Sequence, residues 1–285
     1  MCKGYPLAFL VLVLSLSACA SDFDKAMNST DKALRYQAGT AYYQKGKYDK
    51  AAELLESIQK SYVNSPQLER IDYFLADSYF QNRHYVSAAY YFERFYKAFP
   101  RSAKAEKAAY LAAVCQDAQS PYFELDQTPT RKAIDAYQYF IDTYPNSDSV
   151  AVAGRRIDAL TDKLERKRFA IGKLYFKMMD YRAAEVSIEN FLDDYPDTAL
   201  RRAAMETLFK TSYELAMNSI SSLKEERLVE SQTAYRRLVE IFPQTPMREE
   251  ADKKKSQIDA ELIRVRKQQA ELRESKEADL HRDKG

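Results

Sequence analysis

Tryptophan is absent from this 285-residue sequence, which has six glycines, two histidines and three cysteines. Each scarcity excludes a class of chemistry. The few glycines form neither a G-x-G-x-x-G fingerprint nor a P-loop, so nucleotide phosphates have no cradle. The two histidines, His84 and His281, stand far apart in the chain. They supply no nucleophile-and-base arrangement and no zinc set. Paired carboxylates such as Asp193-Asp194 and Glu225-Glu226 fall in charged turns or helix ends, where solvation accounts for them. The expectation is a protein that is not an enzyme and uses neither cofactor nor metal. Its 44 basic and 42 acidic residues nearly cancel, and no basic stripe suggests nucleic acid.

Long apolar runs are missing too, apart from the N-terminus. There Lys3 precedes the unbroken apolar run Leu7 to Leu14, far shorter than the ~20 residues of a spanning helix. Residues 1–18 therefore read as a signal peptide. The run ends in Leu16-Ser17-Ala18-Cys19, which resembles the bacterial lipobox. Cys19 is then the lipid-attachment site and the mature N-terminus. Acyl chains contribute ~0.8 kcal/mol per buried methylene, so several of them hold a domain on a membrane without a span. Cys2 leaves with the leader and Cys19 is acylated, so Cys115 stands alone and reads as a buried thiol. Ala20 follows the cysteine, and the resemblance to enteric lipoproteins implies that lacking Asp there permits transfer to the outer membrane.

What the sequence has in abundance is Ala, Leu, Glu, Lys, Arg and Tyr, the composition of an all-α chain. Residues 19–31 are polar without helical periodicity and read as a tether. A repeat then begins. Gly39, Tyr42, Gly46, Tyr48, Ala51, Leu55 and Ile58 fall where a tetratricopeptide repeat places small residues, a turn and a seam. The pattern returns 37 residues on with Ala76, Tyr79, Tyr85, Ala88, Phe92 and Phe95. A third copy carries Ala113, Ala133, Tyr137 and Phe140 around an enlarged proline-containing loop. The fourth carries Gly172, Tyr175, Tyr181, Ala184, Ile188 and Phe191, after a long charged helix around Lys163 to Lys167. The fifth is weakest, with Tyr213, Ser231, Tyr235 and Leu238 and a turn lengthened by Met217 to Glu226. Four copies close on an aromatic and a proline: Phe99-Pro100, Tyr144-Pro145, Tyr195-Pro196 and Phe242-Pro243. Proline cannot continue the helical ladder.

Residues 32–246 are thus predicted to form a solenoid of about five helix pairs. Residues 247–285 form a charged C-terminal helix and tail, whose stripe Ile258, Leu262, Val265 and Leu272 caps the last repeat and frays beyond Leu272. The inner face of the first helices is the expected recognition surface. It comprises Tyr36, Tyr43 and Gln44, then Arg70, Tyr73, Asp77 and Phe80, then Lys107 and Tyr110, and in the fourth copy Arg166, Phe169, Lys173 and Phe176. Aromatics mixed with basic groups suit a peptide with aromatic side chains and a terminal carboxylate. Packing between adjacent repeats is the alternative role for any one of these aromatics.

A lipobox, a short tether and five such repeats together resemble the BamD family. Local strings agree: Lys47 to Glu56, Ala133 to Ser147, Leu160 to Lys167, Phe169 to Ala184, Tyr195 to Thr198 and Tyr213 to Ser219. The resemblance implies a periplasm-facing outer-membrane lipoprotein of the β-barrel assembly machinery. Its early repeats would receive unfolded outer-membrane proteins, and its late repeats would dock the periplasmic domains of a BamA-like barrel. The first repeat departs from the rest, its proline displaced to Pro66, and the charged tail is not required by the family pattern. A scaffold for peptidoglycan enzymes would use the same repeats and stays open at this point. A glycan-capturing surface lipoprotein would call for stacking Trp, which the chain lacks.

Overall fold

The computed structural model of the protein describes residues 22–282; Cys19 and the leader lie outside the described residues. Among the described residues there are twelve α-helices, one 3₁₀ turn and no strand, so the all-α expectation holds. Two compact units divide the chain between Leu160 and Thr161.

The first unit contains α1 (Asp22–Met27), α2 (Lys32–Gln44), α3 (Tyr48–Ile58), the 3₁₀ turn Gln59–Tyr62, α4 (Gln67–Gln81), α5 (Tyr85–Ala98), α6 (Ala105–Ala118), α7 (Thr128–Thr143) and the start of α8 (Val150–Lys177). From α2 to α7 each helix packs on the next in sequence, and α2 also touches α4. That is the helical-repeat pattern, three hairpins stacked with first helix against first helix. The second unit holds the rest of α8, then α9 (Tyr181–Asp194), α10 (Arg201–Met217), α11 (Ser221–Ile241) and α12 (Arg248–Arg282). Here α9, α10, α11 and α12 pack consecutively, and α10 also touches α12.

Each hairpin closes around a small residue on its second helix. Ala51, Ala88, Ala133, Ala184 and Ser231 are fully buried. Four and seven residues later, on the same helical face, come Leu55 and Ile58, Phe92 and Phe95, Tyr137 and Phe140, Ile188 and Phe191, and Tyr235 and Leu238. All of these are buried except Tyr235, which is half-buried. The facing first helices present Gly39, Ala76, Ala113 and Gly172. In the last hairpin two buried serines meet instead, Ser212 Oγ lying 3.4 Å from Ser231 Oγ.

The turns and stops repeat as well. Gly46, Arg83 and Met179 each lie seven residues after the small residue of the first helix, and all three have positive φ (68°, 59° and 61°). Only the first repeat has the residue that tolerates this conformation freely. At the helix ends Phe99, Tyr144, Tyr195 and Phe242 are the capping residues just before proline. Three of them pack back on the buried aromatic one turn earlier, with ring centres 5.4 to 5.8 Å apart. In the first repeat Tyr62 takes the same place, eleven residues after Ala51. The Ser65 N–H donates to the Tyr62 carbonyl just as Ser102 does to Phe99. The displaced Pro66 leaves the turn itself unchanged.

Three features differ from the sequence expectation. The stretch taken as a featureless tether includes α1. Its Ala26 is buried, its Phe23 ring meets Tyr42 edge-on at 5.9 Å, and Arg35 donates to the carbonyls of Met27 and Ser29. The lengthened turn of the fifth hairpin is mostly helix. Only Asn218–Ile220 separates α10 from α11, because Lys224 Nζ and Arg227 Nη1 reach back to the Met217 carbonyl and Ser219 Oγ and bind the extra residues into the first turns of α11. Finally, α12 does not fray at Leu272 but continues to Arg282. Its contribution to the core nonetheless ends earlier, since Ile258, Leu262 and Val265 are buried while Leu272 is 60 % exposed.

Charged contacts fasten α12 to α11: Lys224 to Glu261 at 3.2 Å and Arg266 to Glu225 at 2.8 Å. Hydrogen bonds from Arg264 foremost, with Lys224, hold the Glu261 carboxyl down at about 2. A carboxyl depressed from its ordinary 4.5 contributes stability above about pH 4.5 and loses it as pH falls toward 2. Amide exchange in α12 should therefore accelerate through that window in the native chain, and Glu261→Gln should flatten the response; equal slopes would contradict the assignment. A second prediction concerns the seam. A Cβ at Gly172 would lie 2.6 Å from Ile188 Cγ1. Gly172→Ala gains ~1 kcal/mol of helix propensity but meets an overpacking cost of ~1–3 kcal/mol. A net loss of about 1 kcal/mol in urea unfolding is expected. In an Ile188→Ala background the same change should cost nothing.

Candidate recognition cleft

The expected inner face of the first unit divides into residues that build the core and residues that border a cleft. Tyr73 is 5 % exposed and Asp77 8 %, so both are structural. The Tyr73 ring sits edge-on to Phe92 and Phe95, and burial with Asp77 nearby pushes its hydroxyl up to about 12. Asp77 accepts hydrogen bonds from the Tyr43 hydroxyl and, at 3.3 Å, from the Gln81 side chain. Tyr43 stacks flat on Phe74 with ring centres 3.9 Å apart, joining the first repeat to the second. Tyr36 packs on Tyr62, Phe80 meets Tyr85 and Phe92, and Tyr110 lies against Tyr137 and Phe140. All three are half-buried, whereas Gln44, Arg70 and Lys107 are exposed.

The cleft itself has a volume of about 360 Å³ and is lined by Pro66, Glu69, Arg70, Phe74 and Lys104. The Arg70 guanidinium lies 5.0 Å from the centre of the Phe74 ring. Lys104 Nζ lies 4.1 Å from the Tyr73 ring centre and 5.3 Å from that of Phe74. Burial, together with the Arg70 and Lys107 cations, pulls the Lys104 ammonium below its usual range, against the opposing pull of Asp77 and Glu69. Two cations held against aromatic rings, one of them lacking enough negative charge nearby, make a place where an anionic group beside an apolar one is favoured. Glu69 is engaged by the Ser102 hydroxyl at 2.6 Å.

Lys104 and Phe74 were not legible from the repeat. Lys104 caps the start of α6, outside the helical positions counted from the small residue, and Phe74 is one place along from Tyr73 on α4. A basic residue just before a first helix was the available signal.

In the second unit Phe169 is buried and stacks on Phe191 at 5.4 Å, with Lys173 5.6 Å from its ring centre; Phe176 packs on Tyr181, and Arg166 is exposed. A separate charged cleft of about 360 Å³ lies between α9, α10 and α11, lined among others by Arg182, Glu185, Glu189, Glu230 and Arg237. Burial foremost, then the neighbouring carboxylates, pushes Glu185 upward, and Arg182 at 2.9 Å opposes this. The exposed side chains Leu174, Met178 and Met179 crowd the α8–α9 turn. Cys115 is fully buried and burial raises its thiol to about 12, so it rests as a thiol. Among the described residues no three His, Cys, Asp or Glu side chains are placed to share a metal.

Comparison with known proteins places these features in a group. The sequence profile of the YfiO family, outer membrane lipoproteins, matches residues 27–228. The chain is 27 % identical over 191 residues to the outer membrane protein assembly factor BamD of Rickettsia prowazekii (strain Madrid E), covering 67 % of this chain and 76 % of that protein. It is 28 % identical over 111 residues to the outer membrane protein assembly factor BamD of Caulobacter vibrioides, covering 39 % of this chain and 36 % of that protein.

The link between Tyr43 and Asp77 gives a test of the geometry beneath the cleft. Tyr43→Phe keeps the stack on Phe74 but removes a donor from a buried carboxylate, which costs about 1–3 kcal/mol. Thermal unfolding should show that loss, and an unchanged midpoint would mean the hydrogen bond contributes nothing.

Proposed function

Because the chain belongs to the YfiO family of outer-membrane lipoproteins, we propose that it is a non-enzymatic subunit of the machinery that assembles β-barrel proteins in the outer membrane. In this reading lipid on Cys19 anchors it and the repeats face the periplasm. The names of its two relatives, both outer membrane protein assembly factors, support the role.

The observation that carries the reading is the cleft of Arg70, Phe74 and Lys104, with Tyr43 stacked beneath it. Unfolded barrel segments alternate apolar and polar side chains and expose backbone, so an extended segment offers rings and carboxylates at short intervals. Cations fixed against aromatic faces recognise that combination without reading a strict sequence. Tyr36, Tyr110 and Lys107 extend the same face. For the late repeats, the charged cleft around Glu185 and the exposed Leu174, Met178 and Met179 support docking of the periplasmic domains of a BamA-like barrel. Residues 19–31 serve as the lipidated lead-in, 32–246 as the repeats and 247–285 as cap and tail.

The test is binding of a urea-unfolded outer-membrane barrel protein, diluted into buffer with the full chain and followed by fluorescence anisotropy. Replacing Arg70 and Lys104 by Glu should weaken binding roughly tenfold or more while leaving helix content intact, since two attractive charges become repulsive. Equal binding by the double variant would sink the assignment of the cleft. No binding by the unaltered chain would sink the substrate-receiving role.

A further inference from the structure

The connection between α6 and α7 is the one interhelix turn of the first unit that departs from the repeat. The first two hairpins turn through Lys45–Lys47 and Asn82–His84, whereas here residues 119–127 intervene. The added backbone is braced from inside. Gln127, almost fully buried, donates through its side-chain amide to the carbonyls of Tyr122 at 2.9 Å and Leu125 at 3.0 Å. The buried Thr130 hydroxyl in turn donates to Gln127 Oε1 at 2.7 Å and lies 2.6 Å from Ser120 Oγ. The Leu125 N–H closes a turn on the Tyr122 carbonyl.

This polar scaffold holds apolar side chains out in water. Tyr122 is 65 % exposed and Leu125 60 %, and Phe123 lies against the Tyr122 ring at 4.7 Å. Ordering a loop so that it exposes rings is unfavourable unless something covers them, and a loop already ordered loses little entropy on binding. Acidic residues alternate with the apolar ones in the sequence Tyr122-Phe123-Glu124-Leu125-Asp126. That sign disfavours an anionic lipid surface and calls for a partner with rings and cations.

The chain carries such a surface in the cleft of Arg70, Phe74 and Lys104. A molecule cannot close the contact on itself, because Lys104 caps one end of α6 and the loop leaves the other, about 20 Å away along fourteen residues. We propose that the α6–α7 loop docks in the basic aromatic cleft of a second copy of this chain, a head-to-tail contact in which loop and cleft are each used once per molecule. The contact stands on surface complementarity alone and does not depend on which ligand the cleft otherwise takes.

Sedimentation velocity of the detergent-solubilised full chain tests this. The unaltered chain should associate as its concentration rises, less so at high salt. A loop variant (Tyr122→Ser, Phe123→Ser, Leu125→Ser) and a cleft variant (Arg70→Glu, Lys104→Glu) should each stay monomeric. Mixed together they should form a one-to-one dimer and nothing larger, because one supplies the intact cleft and the other the intact loop. A chain that is monomeric at every concentration overturns the proposal, as does association that survives either variant or a mixture that stays monomeric. Loop-dependent pelleting with anionic vesicles, without self-association, would overturn it in favour of a lipid surface.

Discussion

Two helices of a repeat come close only where neither has a bulky side chain at the crossing, and the rest of the fold hangs on that contact. Ala51, Ala88, Ala133 and Ala184 sit at the crossings without any exposure, facing Gly39, Ala76, Ala113 and Gly172. Close approach at this point brings the larger side chains four and seven residues on into the space between repeats. There Leu55, Ile58, Phe92, Phe95, Tyr137, Phe140, Ile188 and Phe191 fill it. The aromatic that stops each second helix then packs on the last of these, so one steric condition fixes the hairpin, its neighbour and the turn that follows.

The recognition cleft is a by-product of this stacking. Because first helix lies on first helix, α4 places Arg70 and Phe74 beside Lys104 at the start of α6, and Tyr43 of α2 supports Phe74 from the other side. Three consecutive repeats contribute, and none could form the site alone. The cations lie on the rim while Tyr73 and Asp77 stay in the core beneath, so the charge of the rim can change without loss of the fold.

The seam was legible in the sequence because its spacing is strict and each element of it, from Ala51 to Phe191, recurs in register. The family resemblance read from strings such as Lys47 to Glu56 and Ala133 to Ser147 is borne out by the profile match over residues 27–228. What was hidden depended on contacts between distant parts of the chain. Phe23 and Ala26 make α1 a docked helix only because Tyr42 is there to meet them. The extra residues of the fifth hairpin became helix because Lys224 and Arg227 cap back on the preceding turn. Lys104 joined the cleft from a position outside the helical period. The inner-face residues Tyr73 and Asp77 show the limit of face counting, since the same periodicity that aims a residue inward also buries it.

The role in barrel assembly is tested most directly by purifying the lipidated protein from detergent-solubilised outer membranes under conditions that keep complexes intact. Partners are then identified by mass spectrometry and their stoichiometry measured. A BamA-like barrel recovered in fixed proportion is the predicted result. Recovery of peptidoglycan enzymes without such a barrel would contradict the assembly role and assign these repeats to a cell-wall scaffold instead.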